Sequence, residues 1–196
     1  MTKKHVLLVC SSNSIGDKLI NRFLEAGWDV SLSSRGSNSR SPNRCNHYKL
    51  DLSSDESVAT FTDNVRAQKK LDAIVFLCGQ LSGKSLADLS EEDIDYQFTV
   101  NAISQIKIVK QLLCHINHDG RVIFLTSIAS FNGGYDPAYS ASKSAITGFV
   151  KSMAKHGPSS VNFNAVAPGL IADSKMAKQF NTSDFGRHLE ETPTKR

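Results

Sequence analysis

No stretch of this 196-residue chain is apolar for long enough to span a bilayer, so no membrane partner is expected. The charged opening Met1-Thr2-Lys3-Lys4 leads into an apolar run, Val6 to Cys10, that is too short for the core of a secretory signal. Cysteine is sparse. Cys10, Cys45, Cys78 and Cys114 form no CxxC pair, so the expectation is reduced thiols in a cytoplasmic protein, with neither a disulfide framework nor a metal site. The formal charge of +4 is not gathered into a basic stripe interleaved with aromatics, which argues against nucleic acid as a partner; a slightly basic surface suits a small anionic ligand. Internal repeats and interdomain linkers are also missing. Residues 1–196 therefore read as one domain that ends in an irregular tail, 178–196.

What is present is ordinary globular composition, 40% hydrophobic and 21% charged. Three short runs, Val6–Cys10, Ala73–Cys78 and Val122–Leu125, are apolar without alternation, as strands buried on both faces of a parallel sheet are. Weaker strands fit Asp29–Ser34, Tyr48–Leu50 and Val161–Ala165. Helical spacing fills the gaps. Ile15, Leu19, Ile20, Phe23 and Leu24 share a face that Gly27 terminates, and a second helix fits Asp55–Ala67. A third, Glu91–Ile116, follows the cap Ser90 with an acidic first turn, and a fourth runs from Asp136 as cap and Pro137 at its first position to Lys155. Strand and helix alternate throughout, which predicts an α/β, Rossmann-type doubly wound parallel sheet with helices on both faces.

Two spacings carry chemistry. The turn Cys10-Ser11-Ser12-Asn13-Ser14-Ile15-Gly16 joins the first strand to a helix, where backbone N–H groups face a pyrophosphate in dinucleotide-binding folds; with one glycine it is equally a polar turn capped by Asn13 or Ser14. Tyr139 and Lys143 stand four apart, on one helical face, where an ammonium lowers a phenol's pKa; a surface pair has the same spacing. Ser127 directly follows the strongest late strand, at the edge where open parallel sheets bind ligands, though a strand-end turn also favours a hydroxyl. After the second strand stands Ser33-Ser34-Arg35. No carboxylate is there to hold a ribose 2′-hydroxyl, and a guanidinium can clamp a 2′-phosphate, so NADP(H) is favoured over NAD(H) unless Arg35 is merely a solvated loop charge.

The ordered set Asn101, Thr126-Ser127, Tyr139 with Lys143, and Pro168-Gly169 resembles the short-chain dehydrogenase/reductase family. The likeness covers nearly the whole chain, with Asp51-Leu52 after the third strand and Asn164-Ala165-Val166-Ala167 leading into Pro168-Gly169. It implies strand order 3-2-1-4-5-6 and hydride exchange between a nicotinamide and a small-molecule carbonyl or secondary alcohol. Tyr139 would be the proton donor or base. Lys143 would lower its pKa and hold the nicotinamide ribose, Ser127 would bond the substrate oxygen, and Asn101 would hold a relay water. Ser11, Ser12, Asn13, Ile15 and Gly16 would form the phosphate turn, Asp51 would cap the adenine side, and Leu52 and Gly79 would join the cofactor-binding set. Pro168 and Gly169, with Leu170 and Ile171, would flank the nicotinamide.

The chain also departs from that pattern. Cys10 and Ser14 stand where two glycines are usual, so a Cβ intrudes where bare backbone is wanted. The usual Asn-Asn-Ala-Gly is reduced to Phe76-Leu77-Cys78-Gly79, and the loop from Ser127 to Tyr139 is one residue short. The usual continuation past Thr192-Pro193, including a seventh strand, is not in the sequence, which suggests either a piece of a longer protein or a six-stranded chain with an open substrate side. A homodimer through the third and fourth helices is expected, and Ala141, Ala145, Gly148 and Ser152 offer a stripe for close packing, within the chain or between chains. The rival reading is a catalytically weak or inactive nucleotide-binding or interaction protein. An extended-branch epimerase would need a further domain for its substrate.

Overall fold

The first strand, β1 (His5–Val9), has every side chain buried, because alternate residues serve opposite faces of the same sheet. Leu7 and Val9 join one core cluster, while Val6 and Leu8 join another. A computed structural model describes residues 3–36 and 44–171, with residues 174, 177, 186 and 190 singly. The polar loop beyond Gly36 and nearly all of the tail expected to be irregular lie outside the described residues.

Helix α1 (Ser14–Glu25) follows the first turn, and Asn13 is its cap: the Asn13 Oδ1 accepts from Gly16 N at 2.9 Å. Its end is the one the sequence marks. Gly27 takes a left-handed φ of 77°, Trp28 N–H reaches back to Phe23 O at 2.9 Å, and the two rings meet edge to face at 5.1 Å. Strand β2 (Asp29–Ser34) matches its expected bounds, whereas β3 (Cys45–Lys49) begins earlier and ends sooner than expected. Helix α2 (Asp55–Arg66) is capped by Ser54, and β4 (Leu71–Phe76) is buried through most of its length.

The long third helix is not continuous. Helix α3 (Glu91–Phe98) opens with a capping box between Ser90 and Asp93 and passes through a π-helical turn, Thr99–Ile103, into α4 (Ser104–Leu112). A single 3-10 turn, Leu113–His115, then leads into β5 (Ile116–Leu125), so the expected helix to Ile116 is too long. The reason is a local insertion. Leu71 pairs with Ile116, but Ala73 already pairs with Arg121, so the residues between bulge out of the ladder, with Asp119 at a φ of 62°. The short helix α5 (Ala129–Asn132), absent from the sequence reading, precedes α6 (Pro137–His156) and β6 (Val161–Val166).

Among the described residues six strands run parallel in the order β3-β2-β1-β4-β5-β6. Helices α2, α4 and α6 cover one face around the stacked rings of Phe76 and Phe124, 4.6 Å apart; α1 covers the other through Ile20 and its neighbours. The strand order reverses between β1 and β4, and the crevice above that switch point receives the loops that carry the candidate site.

Candidate active site

At the tip of β1 the chain turns sharply. Cys10 adopts a φ of 60°, the left-handed conformation that glycine takes at no steric cost, so this turn carries the strain expected from the missing glycine. Ser33 offsets part of it, since its Oγ accepts from Cys10 N at 3.0 Å and its carbonyl from Ser11 N at 3.0 Å. Ser14, at the second altered position, is the first residue of α1 and has no such strain. Gly16 is sterically required: a Cβ there would lie 1.9 Å from the Ser11 carbonyl oxygen. Ser11 is buried, Ser12 is exposed, and Ile15 is half-buried, packed against the core beneath α1. The first turn of α1 leaves N–H groups of Ser14 and Ile15 without intrahelical partners, the donor set that an anionic diphosphate fits.

The adenine end is formed by β2 and β3. Ser34 is buried, accepting from His47 Nε2 at 2.7 Å and donating to Gly36 O, which leaves Arg35 exposed at the rim. Asp51 sits within the electrostatic reach of Arg35. Hydrogen bonds from the Ser53 hydroxyl and N–H hold its carboxyl below the usual range, with smaller help from Arg35 and Lys49. Leu52 is buried, and its carbonyl accepts from Ser104 Oγ at 2.6 Å.

Tyr139, Lys143 and Ser127 converge at the crest between β4 and β5. Lys143 is 2% exposed; its Nζ donates to Cys78 O at 2.7 Å and Leu125 O at 2.9 Å and lies 5.9 Å from the centre of the Tyr139 ring. Burial drops its pKa to about 8, although the Cys78 and Cys10 thiols pull the other way. Cys78 itself is pushed well up, first by burial and then by its hydrogen-bonded neighbour Cys10. The expected lowering of the Tyr139 phenol is overturned. Burial raises it, the Ser127 hydroxyl only partly opposes that as a hydrogen-bond partner, and the Asp136 charge raises it further. The lysine spends two of its N–H groups on backbone carbonyls rather than on the phenol, and burial outweighs what lowers the phenol's pKa.

Asn101 lies in the π-helical turn and is fully buried. Its amide is committed: Oδ1 accepts from Gln80 N at 2.7 Å, and Nδ2 donates to Gln80 O at 2.8 Å and Ser142 Oγ at 3.0 Å. The side chain thus clamps the loop after β4 to α6. Gln105 stabilises the wider turn, donating to Val100 O at 3.1 Å and Asn101 O at 2.9 Å. On the far side of the crest, Ile128 N donates to Pro168 O at 3.0 Å, joining the loops after β5 and β6. Gly169 stands beside Ile128 and is exposed, as is Gly79, and Ile171 is half-buried.

A family model described as short chain dehydrogenase matches residues 4–184. The chain belongs to the short-chain dehydrogenase family. Members of this family are oxidoreductases that bind NAD(P). Among curated short-chain dehydrogenases, the short-chain dehydrogenase/reductase GME11373 of Pestalotiopsis microspora is 32% identical over 117 residues, 58% of this chain and 44% of that one. The oxidoreductase UcpA of Salmonella typhimurium is 27% identical over a 208-residue alignment covering 94% of this chain and 76% of its own. Several such relatives are matched over about half of their length, as is the 2-dehydro-3-deoxy-D-gluconate 5-dehydrogenase of Bacillus subtilis, at 51%. A crystal structure of a short chain dehydrogenase family protein from Francisella tularensis superposes with a TM-score of 0.88 at 22% identity, covering 100% of this chain and 85% of that one. This fold likeness agrees with the strand order expected from sequence.

Sequence reasoning missed the residues that hold the short-chain dehydrogenase site together rather than those that face its crevice. Gln80, Ser82, Gln97 and Ser142 make long-range bonds that no local spacing announces, and Gln105 bonds the carbonyls four and five residues before it. Asp136 was legible only as a helix cap.

Proposed function

We propose that this chain is an NADP(H)-dependent oxidoreductase acting on a carbonyl or secondary alcohol. The observation that carries the reading is the meeting of Tyr139, Lys143 and Ser127 at the sheet crest. When bound, the dinucleotide supplies hydride to the carbonyl carbon, or accepts it from the alcohol carbon in reverse. In reduction the Tyr139 hydroxyl gives its proton to the substrate oxygen, which Ser127 orients, and the resulting phenolate regains a proton from solvent. A phenol is protonated at neutral pH, as a proton donor must be, and the raised pKa of Tyr139 keeps it so while making it a weaker acid. Lys143 would hold the ribose with its remaining N–H. Asn101 serves the proton path indirectly, by fixing Gln80 and Ser142 beside it. Ser11, Ser12 and Asn13 with the start of α1 hold the diphosphate, and exposed Arg35 takes the 2′-phosphate. Asp51, Leu52, Gly79, Pro168, Gly169 and Ile171 line the remainder of the cofactor's path. The protein pairs through α4 and α6 and works in the cytoplasm.

The test is Tyr139→Phe. NADPH oxidation over a panel of acetoacetyl thioesters, aldoses and cyclohexanone should fall at least about a hundredfold, since general acid catalysis is worth that much, while NADPH fluorescence titration is unchanged. Full activity in the variant would end this assignment of roles. The Cβ and strain at Cys10 favour a second reading, a degenerate domain that binds nucleotide weakly and acts as an interaction protein. Absence of NADPH and NADH binding by the wild type would favour that one.

A further inference from the structure

The carboxylate of Asp136 is 2% exposed, and no lysine or arginine bonds to it among the described residues. Five hydrogen bonds satisfy it instead. Oδ1 accepts from Tyr139 N at 3.0 Å and from Gln97 Nε2 at 3.3 Å; Oδ2 accepts from Ser82 N at 2.9 Å, Ser82 Oγ at 2.6 Å and Gly83 N at 3.0 Å. These donors come from three places: the first turn of α6, helix α3, and the loop that follows Gly79 and Gln80. Gly83 takes a φ of 72°, a conformation in which it and Ser82 both aim their N–H groups at one oxygen.

A helix cap alone does not call for this arrangement. Helices α1, α2 and α3 are capped by the neutral side chains of Asn13, Ser54 and Ser90. Burying a carboxylate costs several kcal/mol unless donors replace its water, so a charge is kept here at a position where serine would cap as well. The carboxylate lies three residues before Tyr139. Its loop partners Ser82 and Gly83 lie two and three residues beyond Gln80, the residue that Asn101 clamps from the other side.

We propose that Asp136 is a positioning residue for the proton donor: one carboxylate locks the loop 79–84 to the first turn of α6 and so sets where the Tyr139 hydroxyl stands over the crevice. This rests on the oxidoreductase reading given above. The charge also acts on the phenol directly, as one of the two influences that raise its pKa.

Asp136→Asn is the discriminating variant. Its amide keeps an oxygen for Tyr139 N, and so keeps the cap, but presents an NH2 group to the three donors of Ser82 and Gly83. Displacing a catalytic group by a fraction of an ångström is costly, so kcat on the best carbonyl of the panel should fall roughly tenfold or more. The NADPH dissociation constant, read by fluorescence titration, should stay within about twofold, and KM should change less than kcat. A merely structural anchor would instead lower thermal stability and nucleotide binding while the folded fraction kept its kcat, and that result overturns the inference. Should Asp136→Asn not fold, Ser82→Ala decides the matter. It removes the 2.6 Å bond without touching the helix cap, and an unchanged kcat there is equally fatal. The two levels separate cleanly: a wild type without turnover removes the reading and the inference together, whereas an active enzyme sensitive to Tyr139→Phe but indifferent to Asp136→Asn removes the inference alone.

Discussion

At the scale of single residues, the chain places polar side chains inside the fold where each has a specific partner. His5 is the clearest case away from the crevice: it is 2% exposed, its Nε2 meets Ser31 Oγ at 2.8 Å and its Nδ1 faces Lys69 O at 3.2 Å. Burial lowers its pKa below 6.5, and the nearby Lys69 ammonium adds to that, against the opposing pull of the Lys69 carbonyl. The folded protein therefore holds His5 neutral at a pH where the unfolded chain would protonate it. Above pH 6.5 the two states bind protons alike; below it the unfolded state takes up more, and stability falls with pH until the folded pKa is passed. Urea midpoints should thus drop between pH 7 and pH 5.5, and the drop should shrink in His5→Asn; an equal drop in both proteins would refute this. Legibility differs sharply among residues of the crevice. Tyr139 and Lys143 could be paired from their spacing because a helix dictates it, but the phenol's pKa could not, since burial decides it and burial is a property of the whole fold.

At the scale of elements, the interruption of the third helix is the feature that local sequence did not announce. Nothing in Thr99-Val100-Asn101-Ala102-Ile103 disfavours an α-helix strongly, yet the backbone widens into a π-turn there. The widening is held from below by Gln105, which is 1% exposed and bonds the Val100 and Asn101 carbonyls. Gln105→Leu keeps the volume and removes both bonds. Unfolding in urea should show a loss of about 2 kcal/mol, about 1 for each buried hydrogen bond, and kcat should fall as Asn101 shifts. Unaltered stability would mean that the π-turn is held by other contacts. Caps were legible because they are local: Ser90 and Asp136 stand where the spacing placed them, and of the two candidates Asn13 and Ser14 it is Asn13 that caps α1. The lengths of β3 and β5 were not, because ladder pairing with β2 and β4 fixes them.

At the scale of the whole molecule, the small residues of α6 resolve an ambiguity. Ala141, Ala145, Gly148 and Ser152 are all exposed, while Ile146 and Val150 face the core, so the stripe is not used for packing within the described chain. A Cβ on Gly148 would meet nothing within 4 Å. Gly148→Arg should therefore leave the fold intact, and replacing a mid-helix glycine should even stabilise it by up to about 1 kcal/mol. If pairing runs through α6 as proposed, the same change should convert a dimer to a monomer in sedimentation velocity. A variant that still sediments as a dimer would place the interface elsewhere.

The sequence by itself determined the parallel, doubly wound sheet, because uninterrupted apolar runs alternating with amphipathic helices admit few other packings, while the strand order was expected only from the family resemblance. It also determined the spacing of Tyr139 and Lys143 and the caps that start the helices. Only the tertiary structure decided that Cys10 bears the strain of a missing glycine, that Lys143 spends two of its N–H groups on the carbonyls of Cys78 and Leu125, and that Asp136 gathers donors from two distant segments besides the helix it caps. The physical reason is range: periodicity and capping act within a few residues, whereas burial and hydrogen-bond satisfaction depend on which segments the folded sheet brings together.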